Sequence, residues 1–388
     1  MQESRSGNFV HQKGGYNAFI PKSLPPDPPI VYDETLQDLL SEADRALARL
    51  DGIAVTLPNP DLFIAMYMKK EALLSSQIEG TEASLKGVLE FEANLKPTEN
   101  INDLREVVNY LRAMDSGLEQ LKIAPISLDL IRDIHCILIK GTRGSDREPG
   151  NFRTVQNYIA RSGATSIREA VFVPPPPERI EALMQDLEAF ILEKGSIPPL
   201  IKIALIHAQF ETIHPFLDGN GRMGRLLITF YLCGKGILAE PLLYLSIYLK
   251  RHREEYYRIL NEIRTDGAWE AWLRFFLQGI IEVSNESIAS AREIIRLKDS
   301  VIDTLLQHGI GGANAVKLVY ALFDEPIITT REAAEVLGVS GPTAYQLIGK
   351  LEEIGILKEI TGRQRFKKYM FTDYVSIIEQ GTRPRPGS

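Results

Sequence analysis

The 388-residue sequence predicts a mostly α-helical protein with one short β-hairpin and a small separate unit at its C-terminus. Three observations carry this reading. Apolar residues recur at helical spacing through most of 32–297. One stretch rich in β-branched and aromatic residues, 150–177, breaks that period. From about residue 313 the pattern shortens to brief helices and then a basic run, RQRFKKYMF.

Composition narrows the function classes. Hydrophobic residues make up 44% of the chain, enough for a large core, and the net charge is −7. A mildly acidic chain is not built overall for nonspecific nucleic-acid binding, which leaves that role to a local basic patch. Cys136 and Cys233 fall inside apolar helical patterns with neither metal nor disulfide spacing, so both read as reduced core residues. The N-terminal MQESRSGNF lacks the apolar stretch of a secretion signal. No apolar run approaches the roughly 18 residues of a membrane helix. The expectation is a cytoplasmic protein without membrane contact.

The elements follow in order. Residues 1–30 are polar, then Pro-rich, and read as an extended arm without its own core. Residues 32–50 are helical. Asn59-Pro60-Asp61 starts the next helix: Asn59 can cap it, Pro60 fits its first turn and Asp61 favours its positive end. Phe63, Met66, Leu74 and Ile78 keep the helical period until Gly80 offers a stop. Glu79 therefore lies at a helix C-terminus, where the dipole disfavours an acid unless a cation stands nearby. Helical patterns cover 101–121 and 127–140. The hairpin's second arm, Ala170-Val171-Phe172-Val173, stops at four prolines. Helices return at 178–194 and 199–213; the latter, PLIKIALIHAQFETI, is apolar nearly all round and reads as central. Further helices span 221–233, 253–265 and 268–297. Domains are expected at 1–120, 121–297 and 298–388.

One loop carries the chemistry. Residues 214–225 read HPFLDGNGRMGR, between the central helix and the next one. Three glycines and an asparagine permit a hollow lined by backbone N–H groups. The hollow opens a helix, whose dipole also favours an anion. Arg222 and Arg225 share a helix face, and their guanidinium forks suit phosphate oxygens. Asp218 is a hard oxygen ligand for Mg²⁺ bridging phosphates. His214 can take a proton near neutral pH. Each piece alone has an ordinary explanation as a satisfied histidine, a solvated face or a turn. Together they describe a phosphoryl- or nucleotidyl-transfer site.

The loop resembles the Fic-domain motif HPFx[D/E]GNGRxxR at every fixed position. The likeness extends over roughly residues 1–300, and the whole layout is similar to bacterial Fic proteins with an N-terminal helical region. Most such proteins move AMP from ATP to a Ser, Thr or Tyr hydroxyl of a target protein. The resemblance implies that His214 is the base and Asp218 holds Mg²⁺. It implies ATP binding by Gly219, Asn220, Gly221, Arg222, Met223, Gly224 and Arg225, with Arg225 on the γ-phosphate. Ala170-Val171-Phe172-Val173 resembles the family's target-docking flap, which works by strand addition. Tyr256-Tyr257 resembles a tyrosine pair at the adenosine pocket, with Tyr257 the nucleotide contact. Where some relatives place an Asn seven residues later this chain has Arg264, which leaves base recognition open.

The family also carries an inhibitory helix with the pattern [S/T]xxxE[G/N], and Ser75-Ser76-Gln77-Ile78-Glu79-Gly80 matches it. The resemblance implies that Glu79 reaches Arg225 and takes the place the γ-phosphate needs. Inhibition would then be encoded in this chain, and relief in relatives can involve oligomer state, here a homodimer, or self-modification.

The C-terminal stretch from ITTREAAEVLG resembles a winged helix-turn-helix. Thr330 can cap its first helix, TAYQLIGKLEEIG holds the recognition position and TGRQRFKKYMF is the wing. The recognition helix offers Gln346 and Lys350 but no arginine, beside Glu352 and Glu353. Arg363, Arg365, Lys367 and Lys368 of the wing can touch phosphates. The unit therefore reads as a protein-interaction module first and a DNA reader second. Two alternatives to AMP transfer stay open: a Fic enzyme with another donor or one that removes AMP, and a transcriptional regulator with an inert core.

Overall fold

The computed structural model describes residues 5–56, 60–93, 95, 98–160, 166–380 and 382. The protein is mostly α. Helices α1 (Glu34–Thr56), α2 (Pro60–Ile78), α3 (Leu85–Glu92) and α4 (Ile101–Leu121) form the N-terminal region. The middle of the chain adds α5 (Leu128–Ile139), α6 (Ile180–Leu192), α7 (Pro199–Ile213), α8 (Asn220–Gly234), α9 (Ser246–Arg251) and α10 (Arg253–Asp266). Asn59 lies outside the described residues. The other caps follow sequence chemistry: Ser127 accepts from Leu130 N–H at the start of α5, and Asn100 from Asn102 N–H at the start of α4.

Helix α7 is the centre of the core. Every residue from Leu200 to Ile213 is buried, as an all-apolar pattern requires. His207 sits midway along it. Its Nδ1–H donates to Gly224 O of α8 at 3.0 Å, and its Nε2 accepts from Tyr256 of α10 at 2.8 Å. The ring also stacks on Trp272, with centroids 5.9 Å apart. One neutral histidine thus ties α7 to α8, α10 and the following helix.

That helix, α11 (Trp269–Gln307), runs ten residues past the expected 297 because Val301 and Leu305 keep the buried stripe going. Beyond it come α12 (Ala313–Asp324), α13 (Thr330–Leu337), α14 (Gly341–Glu353) and α15 (Thr372–Glu379). The unit looks separate in sequence but is not hung loosely: α12 and α15 rest on α2, and α15 also on α11. Lys368 Nζ donates to Ala93 O beyond α3. The cap of α13 is Thr329, not Thr330. Thr329 and Glu332 complete a reciprocal capping box that Thr330 cannot form.

Among the described residues three small sheets complete the fold. Strands β1 (Gly7–Gln12) and β2 (Tyr16–Pro21) form an antiparallel hairpin, and β3 (Ile159–Ala160) pairs antiparallel with β4 (Ala170–Phe172). In the C-terminal unit β5 (Ile327–Thr329), β6 (Lys358–Glu359) and β7 (Lys368–Met370) pair in the order β5-β7-β6. The N-terminal hairpin corrects the expected coreless arm. Its signal is local: GNFVHQ and YNAFIP flank Lys13-Gly14-Gly15, and Gly15 turns the chain at φ +76°. Ala18 and Phe19 are buried. Phe19 N–H donates to Val173 O at 2.9 Å, and its ring meets Phe172 at 6.3 Å. The arm therefore has a core, shared with the hairpin that precedes the four prolines. A second correction concerns Cys136, which is exposed, while Cys233 is half-buried. Cys136 falls on the outward side of α5, whose buried positions are Leu128, Leu130, Ile131, Ile134, His135, Leu138 and Ile139.

Burial pushes the His207 pKa down from 6.5 to about 4. A base depressed on folding adds stability that is complete above its unfolded pKa and is lost as pH falls toward the folded value. His207→Gln keeps a donor for Gly224 O but does not titrate. Near pH ~5.5 the wild type should take up about one more proton on unfolding than the variant. Equal uptake, measured by calorimetry in buffers of different ionisation enthalpy, would show that His207 is not held neutral.

Candidate active site

The site forms where α7 ends and α8 begins. His214 caps α7 in a left-handed conformation, φ +51°, which turns the chain out of the core. Phe216 is buried and stacks on His135 of α5, with centroids 3.6 Å apart. Gly150 N–H donates to His135 Nδ1 at 3.0 Å, so the ring proton sits on Nε2 and is donated to Asp218 O at 2.9 Å. Asn220 is spent on the loop itself: its Oδ1 accepts from Phe216 N–H and its Nδ2 donates to Phe216 O. Its backbone N–H, with those of Gly221 and Arg222, belongs to the first turn of α8 and has no intrahelical acceptor. Gly219 makes the turn into that helix at φ +77°.

Two arginines brace His214 from outside the loop, and local sequence gives no sign of either contact. Arg153, nearly fully buried, donates to His214 O at 2.9 Å and to Pro175 O at 2.6 Å. Arg264 donates to Thr212 Oγ1 and Glu211 O, and its guanidinium lies 3.7 Å from the centre of the Phe172 ring. Cations at the carbonyl end of α7 are favoured by its dipole. Burial, followed by these two cations, pushes the His214 pKa down to about 4. The imidazole is therefore neutral at pH 7, the state a base requires.

The anion cradle holds one incomplete cation. The Arg222 side chain is 5% exposed, with Glu106 Oε2 at 3.7 Å and Asp218 Oδ1 at 3.6 Å. Its Nε and Nη1 are buried without a hydrogen-bond partner among the described residues. Asp218 accepts from Gly219 N–H, and its side chain stays 44% exposed. Met223 differs from its neighbours: its side chain is in the core, fully buried.

Arg225 is complete. It lies almost wholly buried, its Nε donates to Ser75 Oγ at 2.8 Å, and its Nη2 donates to Ser75 O at 2.9 Å and to Glu79 Oε1 at 2.7 Å. Burial alone would raise the Glu79 pKa; Arg225, then Arg222 and His214, hold it below the usual carboxylate range. The approach depends on Gly221, because a Cβ there would stand 2.2 Å from Glu79 Oε1. Helix α2 is fixed two turns before Glu79, where Glu71 accepts from Ser246 N–H, Ser246 Oγ–H and Tyr110 OH.

The tyrosine pair divides. Tyr256 is buried on His207, whereas Tyr257 is 41% exposed on the side of Glu79 and Arg225. Along β4, Val171 faces out and Phe172 in. Val173 O is already taken by Phe19 N–H, and the opposing arm is tied to the loop through Asn157 Nδ2 and Phe216 O at 3.0 Å. Among the described residues no helix is long and apolar enough to cross a membrane.

Known proteins share this layout. A family model for the Fic/DOC family N-terminal region matches residues 37–119, one for the Fic/DOC family matches 125–232, and one for a winged helix-turn-helix DNA-binding unit matches 314–358. A probable protein adenylyltransferase of Aquifex aeolicus is 26% identical over 78% of this chain and 86% of its own length. Protein adenylyltransferases of Caenorhabditis elegans and Nematostella vectensis are 27% and 28% identical over 60% and 62% of this chain. The matched regions are 42% and 53% of those animal proteins, so the chain spans about half their length. A solved Fic family protein from Desulfovibrio desulfuricans overlays with a TM-score of 0.59 at 20% identity, covering 88% of this chain and 97% of that one. A Fic-domain protein from Bacteroides thetaiotaomicron overlays at 0.51 and 18% identity, covering 67% and 97%. By its two consecutive domain matches and its loop, the chain belongs to the Fic/DOC family.

Proposed function

We propose that this protein is a protein adenylyltransferase that moves AMP from ATP to a Ser, Thr or Tyr hydroxyl of a target protein and is held inactive by its own Glu79. The names of its relatives support the activity. The observation that carries it is Arg222: a buried guanidinium at the open N-terminus of α8 whose Nε and Nη1 lack a hydrogen bond among the described residues, with the Glu106 and Asp218 carboxylates only at 3.7 and 3.6 Å. Buried donors of this kind call for an anion.

In this reading the target segment lies along Ala170–Val173, and its hydroxyl meets His214. Nε2 takes the hydroxyl proton as the oxygen attacks the α-phosphorus of ATP. The bond between the α-phosphorus and the bridging oxygen breaks, and pyrophosphate leaves with that electron pair. Arg222 and the N–H groups of Asn220 and Gly221 neutralise the phosphates, and Tyr257 lies against the nucleoside. Positioning and charge neutralisation then supply most of the rate, with no covalent enzyme intermediate. No cluster of three metal-ligating side chains occurs among the described residues. A single partly exposed carboxylate, Asp218, fits Mg²⁺, an ion that arrives with waters and phosphate ligands. When bound it would screen the α- and β-phosphates.

Ser75 and Glu79 occupy Arg225, the cation this reading gives to the γ-phosphate. ATP then meets a satisfied arginine and an extra negative charge. Release of α2 belongs to the same reading, through assembly as a homodimer or self-modification in the cytoplasm. A second reading concerns the C-terminal unit, where Arg363 and Arg365 are exposed on the wing and Gln346 and Lys350 on α14. Those groups give a phosphate-tracking surface, and a salt-dependent shift of duplex DNA would support it.

Transfer of label from α-labelled ATP tests the main reading. Glu79→Gly should exceed wild type by about tenfold, on the scale of one charge-assisted hydrogen bond. His214→Ala in that background should abolish transfer. Equal rates for wild type and Glu79→Gly would remove Glu79 as inhibitor. No label with any protein would remove ATP as donor.

A further inference from the structure

Glu211 is buried on the last turn of α7, one turn before the base, and the reaction described above does not use it. Among the described residues its Oε1 and the His214 Nδ1 are both buried without a side chain in hydrogen-bond reach, and the Glu211 carbonyl is the backbone acceptor on that side of the ring. Its Oε2 lies 4.0 Å from that Nδ1, about 1 Å beyond a hydrogen bond. The room is made by Gly224, since a Cβ there would stand 2.6 Å from Glu211 Oε1. His214 Nδ1 thus faces the Oε2 side of the Glu211 carboxylate, while the other carboxylate oxygen, Oε1, lies unpartnered toward Gly224.

We propose that Glu211 is a positioning residue whose carboxylate selects the tautomer of His214. The inference rests on His214 being the base. An ionised Glu211 can only accept, so it draws the proton to Nδ1 and leaves Nε2 bare toward the target hydroxyl. A protonated Glu211 donates to Nδ1 instead and leaves the proton on Nε2, where the ring cannot act as base. As Nε2 takes a proton, the carboxylate also faces the imidazolium that forms.

The surrounding charges link this choice to inhibition. Arg225 from α8, Glu79 from the end of α2, Arg264 with Tyr256 and Tyr257 from α10, and His214 itself face Glu211; Arg153 faces His214. Burial raises the Glu211 pKa to about 7, Arg225 and Arg264 oppose this, and Glu79 adds to it. Withdrawal of Glu79 removes a like charge and favours the ionised carboxylate. The same movement that frees Arg225 therefore also prepares the base.

The test uses the full chain with ¹⁵N-labelled histidine in the Glu79→Gly background, the His214 signal being the one lost in His214→Gln. Between pH ~5 and ~8 the ring should pass from a pyridine-type Nδ1 to a pyridine-type Nε2 as Glu211 ionises, at a lower pH than with Glu79 present. Glu211→Gln should remove that passage and lower kcat about tenfold, with KM for ATP unchanged. A tautomer that stays constant with pH in the Glu211 protein overturns the proposal, whether or not the variant folds. So does a Glu211→Gln loss that falls on KM alone, which marks a structural role at Gly224. If Glu79→Gly transfers no AMP, the functional reading fails, and the tautomer measurement still decides Glu211.

Discussion

A buried guanidinium cannot stay unpaired, and the arrangement of this molecule turns on how Arg225 meets that requirement. Ser75 supplies a hydroxyl and a carbonyl, and Glu79 supplies the charge. All three acceptors come from the end of α2, 146 to 150 residues away in sequence. The Arg225 guanidinium is therefore stabilised by a helix outside the 214–225 loop. An anion arriving at Arg225 competes with an existing partner rather than filling an empty position. The net contribution of these interactions is modest because desolvation opposes the ion pair.

The loop is built so that most of its side chains are spent on the loop and the core. Asn220 folds back on Phe216, Met223 turns into the core, and His135 fixes the carbonyl of Asp218. Glycines stand where other groups approach closely: Gly221 under Glu79 and Gly224 under Glu211. What remains open is the first turn of α8, Arg222 and the exposed edge of Asp218. Rigid support comes from α7, whose complete burial holds His214 at the mouth of the core while Arg153 and Arg264 take up its terminal carbonyls.

Much of this was legible in the sequence, and the rest was hidden for identifiable reasons. The central helix, the loop and the acid at the end of α2 are local patterns, and local chemistry sets them. The N-terminal hairpin was hidden by its polar, Pro-rich neighbourhood, although Gly14-Gly15 between two β-rich runs marks it. The length of α11 was hidden because its last turns are buried by the C-terminal unit, which the sequence pattern treats as separate. Cys136 shows the limit of an apolar window: its neighbours face the core and it does not. Arg153 and the His207–Tyr256 link depend on contacts between distant segments, and no spacing rule reports them; Glu211 is three residues from His214, but only the packed end of α7 shows that it is buried there. Arg264 is the least legible residue in sequence, since it is engaged with Phe172 and the end of α7.

The central claim is that Glu79 stands in the place of one phosphate and not of the whole nucleotide. Calorimetric affinities of ATP and ADP for wild type and for Glu79→Gly test it directly. The account predicts that Glu79→Gly tightens ATP by about tenfold and leaves ADP within about twofold, because only the terminal phosphate of ATP needs Arg225. Equal changes for ATP and ADP, or none for either, would contradict it.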